Sequence, residues 1–197
     1  MTSFLFSQKS AQTPGSCDDG FFHPRYCDRT LLLLLRTFLD IIALRKGPEH
    51  VPDSWLLFVL SILMMVFASL SAAALIEALA EQDFRLTFAA NVLGLTFYGA
   101  VLFVFGYSRR ILPALTSVIG CGAILTMLFV AEFVLFSPFL GSGIAGTVAA
   151  LIALWSVPVE GHIISRSIEQ HWLVGVAIAV AAFMLQLGFQ SAFTARA

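Results

Sequence analysis

Charge is what this sequence has least of. Asp, Glu, Lys and Arg make up 12% of its 197 residues, against roughly a quarter in an ordinary soluble domain. That excludes a water-exposed fold of usual composition. Cysteine is scarce too. Cys17, Cys27 and Cys121 are the three present, the last alone inside an apolar run, so no disulfide framework is expected and all three read as free thiols. The alternating ten-residue pattern of a membrane barrel is absent. At the N-terminus no basic region leads into an uninterrupted apolar stretch, so no cleaved signal peptide is expected. Cys17 has no hydrophobic segment before it and is not read as a lipoprotein cysteine, and Thr2 excludes N-myristoylation. No Ser-His-Asp set, H-E-x-x-H, paired aspartates or phosphate-binding lysine is found. The chain is expected to be no enzyme and to need no cofactor.

What the sequence does have is apolar length. It is 59% hydrophobic and 13% aromatic, with a mean hydropathy of +0.91. One helical crossing of a bilayer takes about 20 residues. The uncharged runs therefore predict an all-α integral membrane bundle of five transmembrane helices, at 54–76, 86–107, 111–136, 144–164 and 172–193. Helices are expected because only they satisfy their own backbone groups in lipid. Residues 1–29 mix Ser, Gln, Gly, Pro and charge without a period and read as a flexible cytoplasmic tail. Over 30–46, Arg29, Arg36 and Asp40 fall on one narrow stripe with Leu, Phe and Ile around the rest. That pattern predicts an amphipathic helix lying in the membrane interface, ended by Gly47-Pro48.

Orientation follows from the basic residues. Lys9, Arg25, Arg29, Arg36, Arg45, Lys46, Arg109, Arg110 and Arg166 fall on one side of the predicted spans, and only Arg85 and Arg196 on the other. The positive-inside rule puts the N-terminus in the cytoplasm and the C-terminus in the periplasm.

Three constellations have the residue types of a site. Gly141, Gly143 and Gly146 match G-x-G-x-x-G, but no strand precedes them, so they read as a tight turn with close packing and not as a nucleotide loop. Glu160-Gly161-His162 and Glu169-Gln170-His171 repeat E-x-H in the loop read between spans four and five. Residues two apart diverge on a helix, so the pairs are taken as polar loop and not as metal ligands, and Cys17, His23 and Cys27 likewise carry no metal expectation. Asn91, Glu132 and Gln186 lie at similar depth, about 10 Å in from the non-cytoplasmic ends of their spans. They form a candidate intramembrane polar cluster, with Arg85 at its mouth; the plainer alternative is interhelical hydrogen bonding that fixes the bundle. Leu35, Arg36, Phe38 and Ile42 on the amphipathic helix are the candidate docking residues. Small residues, Ala68 to Ala74 and Gly94, Gly99, Gly120 and Gly122, are expected to bring helices close.

Leu44-Arg45-Lys46-Gly47-Pro48-Glu49, Pro52 before the first span, and Trp155 followed by Gly161-His162-Ile163-Ile164 before the last together resemble small proteobacterial membrane proteins of the Yip1 type. The resemblance covers about residues 30–193. It implies five helices with the N-terminus in the cytosol and the C-terminus outside, and transfers no catalytic residue, since the bacterial members carry no assigned function. The expectation is a non-enzymatic protein of the bacterial inner membrane, a scaffold, adaptor or assembly factor. Its partners would be the lipid bilayer and another membrane protein or itself, with no nucleic acid. The alternative is a small transporter or channel using the polar cluster in the outer half of the bundle.

Overall fold

A computed structural model of the chain describes residues 34–76 and 84–194. The expected tail at 1–29, with Cys17, His23 and Cys27, the first residues of the amphipathic helix, and Arg196 lie outside the described residues. The described chain forms a short helix α1 (34–42), then α2 (Trp55–Leu75), α3 (Phe84–Val104), a helical run α4 (Ile111–Ser167) and α5 (Trp172–Thr194). Short 3-10 turns at Pro48–His50 and Ser108–Arg110 precede α2 and α4. At Gly141 the α4 backbone leaves helical geometry, with φ +79 and ψ 154. That conformation is open to glycine at little cost, and it divides α4 into two arms. Five stretches are then long and apolar enough to cross a membrane: Trp55–Leu75, Arg85–Val104, Ser108–Phe139, Gly143–Ser167 and Trp172–Phe193. The fold is the predicted helical bundle.

Four of these spans bury only 17–22% of their apolar windows within the protein, whereas Ser108–Phe139 buries 44%. The first arm of α4 is thus the axis of the bundle. Leu56, Val104 and Phe139 are 80% or more exposed, and apolar faces of that extent call for lipid around them. The outward faces contact the bilayer.

Hydroxyls inside the spans are satisfied locally. Ser61, Ser69, Thr116, Ser117, Thr126 and Ser167 each donate to the carbonyl four residues back, at 2.7–2.9 Å. This back-bonding hides a polar group from lipid without a second helix.

The tightest helix contact joins the second arm of α4 to α5. A Cβ at Gly161 would lie 2.7 Å from Val176 Cα, and one at Gly175 would collide with the Gly161 carbonyl and sit 2.6 Å from Ser165 Cβ. Here backbone touches backbone, as small residues four apart permit. Gly94 and Gly120 also make room, for the Gln186 amide and for the Phe38 ring, while a methyl group added at Gly99, Gly143 or Gly146 would meet nothing within 4 Å. The close packing expected of Gly143 and Gly146 is therefore not found; of the glycines in that turn, only Gly141 is needed for its conformation.

Candidate functional site

The helix α1 packs by one face against both arms of α4, with Leu35 and Leu39 left exposed. Phe38 is 6% exposed and Ile41 fully buried, with the Phe38 ring over Gly120. Cys121 Sγ, a free thiol, lies 3.8 Å from the Phe38 carbonyl. On the other arm, Trp155 Nε1–H donates to the Ile42 carbonyl at 3.3 Å. His162 Nε2 lies 3.2 Å from the Lys46 carbonyl; a carbonyl can only accept, so that nitrogen carries the proton. The helix stops at 42, four residues before the predicted end. Leu44 takes a left-handed conformation, φ +59, and the Asp40 carbonyl accepts from the amides of Arg45 and Lys46. Lys46 Nζ closes the turn on Asp40 Oδ2 at 2.7 Å. That hydrogen bond, with the nearby charges of Lys46, Arg36 and Arg45, holds the Asp40 carboxyl below the ordinary aspartate range. Of the four candidate docking residues, Phe38 belongs to the core and Ile42 packs against it, while Leu35 and Arg36 are exposed. The expected docking face is thus split: Phe38 and Ile42 are taken up by the protein's own bundle, and Leu35 and Arg36 stay outside it.

A cavity of about 490 Å³ lies between α2 and α3, backed by the first arm of α4. α2 packs on α4, and α3 packs on α5 and α4, so α2 and α3 share no extensive packed interface. Asn91 and Gln186 are both in its wall, as is Thr87. Glu132 is not. It sits roughly a quarter turn around the helix from the lining residues Val118, Gly122, Thr126 and Phe129. There it is 7% exposed, and neither carboxyl oxygen has a hydrogen-bond partner among the described residues. The polar cluster expected from depth alone is thus two residues of three, because depth does not specify the helix face.

The carboxyl in the cavity wall is Glu160 instead. Tyr98 Oη donates to Glu160 Oε2 at 2.5 Å, across 62 residues of sequence. Glu160 also lines a smaller cavity of about 240 Å³ on the other side, with Met65, Gly122, Thr126 and Phe129 common to both. The E-x-H reading puts Glu160 and His162 in a loop, but the helix continues past Pro158 and the predicted end at 164 to Ser167, which makes both intrahelical residues. Only Glu169, Gln170 and His171 occupy the turn, where Glu169 has φ +54. The two E-x-H pairs do not converge, and no group of three or more metal-ligating side chains exists among the described residues. The signal that could have found this extension is Gly161-x-x-x-Ser165, a small-residue pair suited to a helix face. Nothing in sequence links Tyr98 to Glu160.

A second polar set closes the end of the bundle that carries the basic residues. Arg110 Nη2 is 2.6 Å from Glu169 Oε1, its Nη1 donates to the Ser167 carbonyl at 3.4 Å, and its guanidinium lies 5.2 Å from the centre of the Tyr107 ring. Tyr107 Oη reaches the same carboxylate at 3.5 Å. These contacts tie the α3–α4 turn to the α4–α5 turn. No family model matches the chain, and no curated protein or solved structure matches it either.

Proposed function

We propose that this is a non-enzymatic, Yip1-like protein of the bacterial inner membrane, N-terminus cytoplasmic and C-terminus periplasmic, whose work is to bind another membrane component. The component that the geometry favours is a small lipid-soluble molecule held between α2 and α3. The carrying observation is the cavity of about 490 Å³, walled by aliphatic and aromatic side chains with a few polar groups. Its size and lining are those of sites that enclose small organic ligands. A scaffold, adaptor or assembly role through α1 has less apolar surface to use, since Phe38 and Ile41 are spent inside the bundle.

The test is binding of a neutral apolar fluorophore, N-phenyl-1-naphthylamine, to the protein in lipid nanodiscs. The wild type is expected to bind it stoichiometrically. Leu95→Trp from α3 and Ser69→Phe from α2 fill the cavity from opposite walls, and each is expected to weaken binding at least tenfold with the bundle intact by circular dichroism. Binding that neither variant disturbs would overturn the proposal. The transporter reading is favoured by one feature, polar groups at two depths of the same cavity. It requires flux in liposomes that depends on Glu160 and is indifferent to Glu132.

A further inference from the structure

The cavity has a chemical polarity that narrows what it takes. Along α3, Tyr98 and Asn91 are seven residues apart, about 10 Å at 1.5 Å per residue. Glu160 stands with Tyr98 at one level, Asn91 marks the other, and the Gln186 amide lies between them against Gly94. At the first level the Tyr98 hydroxyl spends its proton on Glu160, so with Glu160 ionised the pair presents acceptor oxygen to a ligand. No Lys, Arg or His lies in the wall of either cavity that Glu160 lines, and no ion pair among the described residues includes Glu160. A carboxylate set in an apolar wall without a counter-charge is costly, so the group either takes up a proton or pairs with an arriving cation. The lining residues that share both cavities with Glu160 suit a cation: the Phe129 ring offers a π face and Met65 a polarizable sulfur. Farther along the cavity the amides of Gln186 and Asn91 can both donate and accept.

Resting on the binding role proposed above, we infer that the ligand is a lipophilic organic cation, a protonated amine with an apolar body about 10 Å long. Its ammonium pairs with Glu160. Tyr98 holds the carboxylate in place as a positioning residue, and the body runs toward Asn91 and Gln186. The inference does not involve Glu132, whose carboxyl is closed off from the cavity.

The experiment compares two probes in nanodiscs: a dansyl-labelled primary alkylamine and the same molecule with its amine acetylated. Wild-type protein is expected to bind the amine at least tenfold more tightly than the amide. Glu160→Gln keeps the side-chain shape and is expected to bring the amine down to the affinity of the amide while leaving the amide unchanged. Tyr98→Phe is expected to reduce the preference for the amine without abolishing it. Leu95→Trp should weaken both probes together. Equal wild-type affinities, or a preference that survives Glu160→Gln, would overturn the cation assignment and leave the cavity reading standing. An acetylated probe preferred by the wild type and lost in Glu160→Gln would identify a neutral acceptor ligand instead. If both probes bind and Leu95→Trp and Ser69→Phe alter neither, the cavity reading itself fails. Circular dichroism of Glu160→Gln and Tyr98→Phe separates loss of binding from loss of fold.

Discussion

The seam between the second arm of α4 and α5 and the gap between α2 and α3 are built from the same apolar alphabet and behave oppositely. At the seam, Gly161, Ser165 and Gly175 have so little side chain that the two backbones meet. No space is left for a ligand. At the gap, Ile62, Met65, Leu95 and Phe88 stand along two helices that both lean on neighbours and not on each other, and a cavity remains. The difference teaches that in lipid, where lipid tails are as apolar as Leu, helices close up where small residues permit dense contact and stay apart where bulky ones do not.

The most damaging way to break that contrast is Gly175→Leu. Its side chain would enter the Gly161 carbonyl and the Ser165 backbone, neither of which can swing aside, so a loss of about 3 kcal/mol or more is expected. Gly143→Leu is the control, since nothing lies near that position. Thermal unfolding in detergent should show Gly175→Leu losing the bundle and Gly143→Leu close to wild type. Equal behaviour of the two would mean that the seam does not hold the protein together.

The second prediction contrasts the two carboxyls of α4. Glu132 is buried with no partner among the described residues, and Glu160 has Tyr98. Removing an unsatisfied buried polar group recovers about 1–3 kcal/mol, so Glu132→Leu should raise the melting temperature and leave cavity binding unchanged. Lowered stability would reveal a partner for Glu132.

A smaller effect belongs to the ion pair at the basic end. Arg110 and Glu169 are roughly half exposed, and such pairs are worth about 0.2–1 kcal/mol. A double-mutant cycle of Arg110→Ala and Glu169→Ala should return a coupling in that range that shrinks with added salt. No coupling at low salt would separate the two turns energetically.

Smallest is the turn after α1. Asp40, held below its ordinary range by Lys46, contributes when ionised, above the unfolded aspartate value of about 3.9. Its contribution fades as pH falls through the lower folded value. Amide exchange at Arg45 and Lys46, corrected for intrinsic rate, should be protected at pH 6 and less so near pH 3. Asp40→Asn should lack the pH dependence, and a wild type equally protected at both would remove the role of the ion pair.

How much of this was readable beforehand differs by residue. The five spans were legible because each needs only a run of about 20 apolar residues. The fourth was read to 164, yet Glu160 and His162 within it look like loop residues until Tyr98 and the Lys46 carbonyl are seen to receive them. Asn91 and Gln186 were legible as polar groups at one depth. Glu132 was grouped with them for the same reason and separated by helix rotation. Phe38 was legible as apolar, yet its destination depended on a groove opposite Gly120.

By itself, then, the sequence determined the helical class and the five stretches long and apolar enough to cross a membrane, since these depend on local composition and on satisfying the backbone within one helix. Tertiary structure alone decided that Phe38 and Ile41 of α1 pack on the bundle, that Glu160 and not Glu132 faces the cavity, and that α2 and α3 stay apart. Each of those depends on which face of one helix meets another, a relation between residues far apart in the chain that the composition of neither carries.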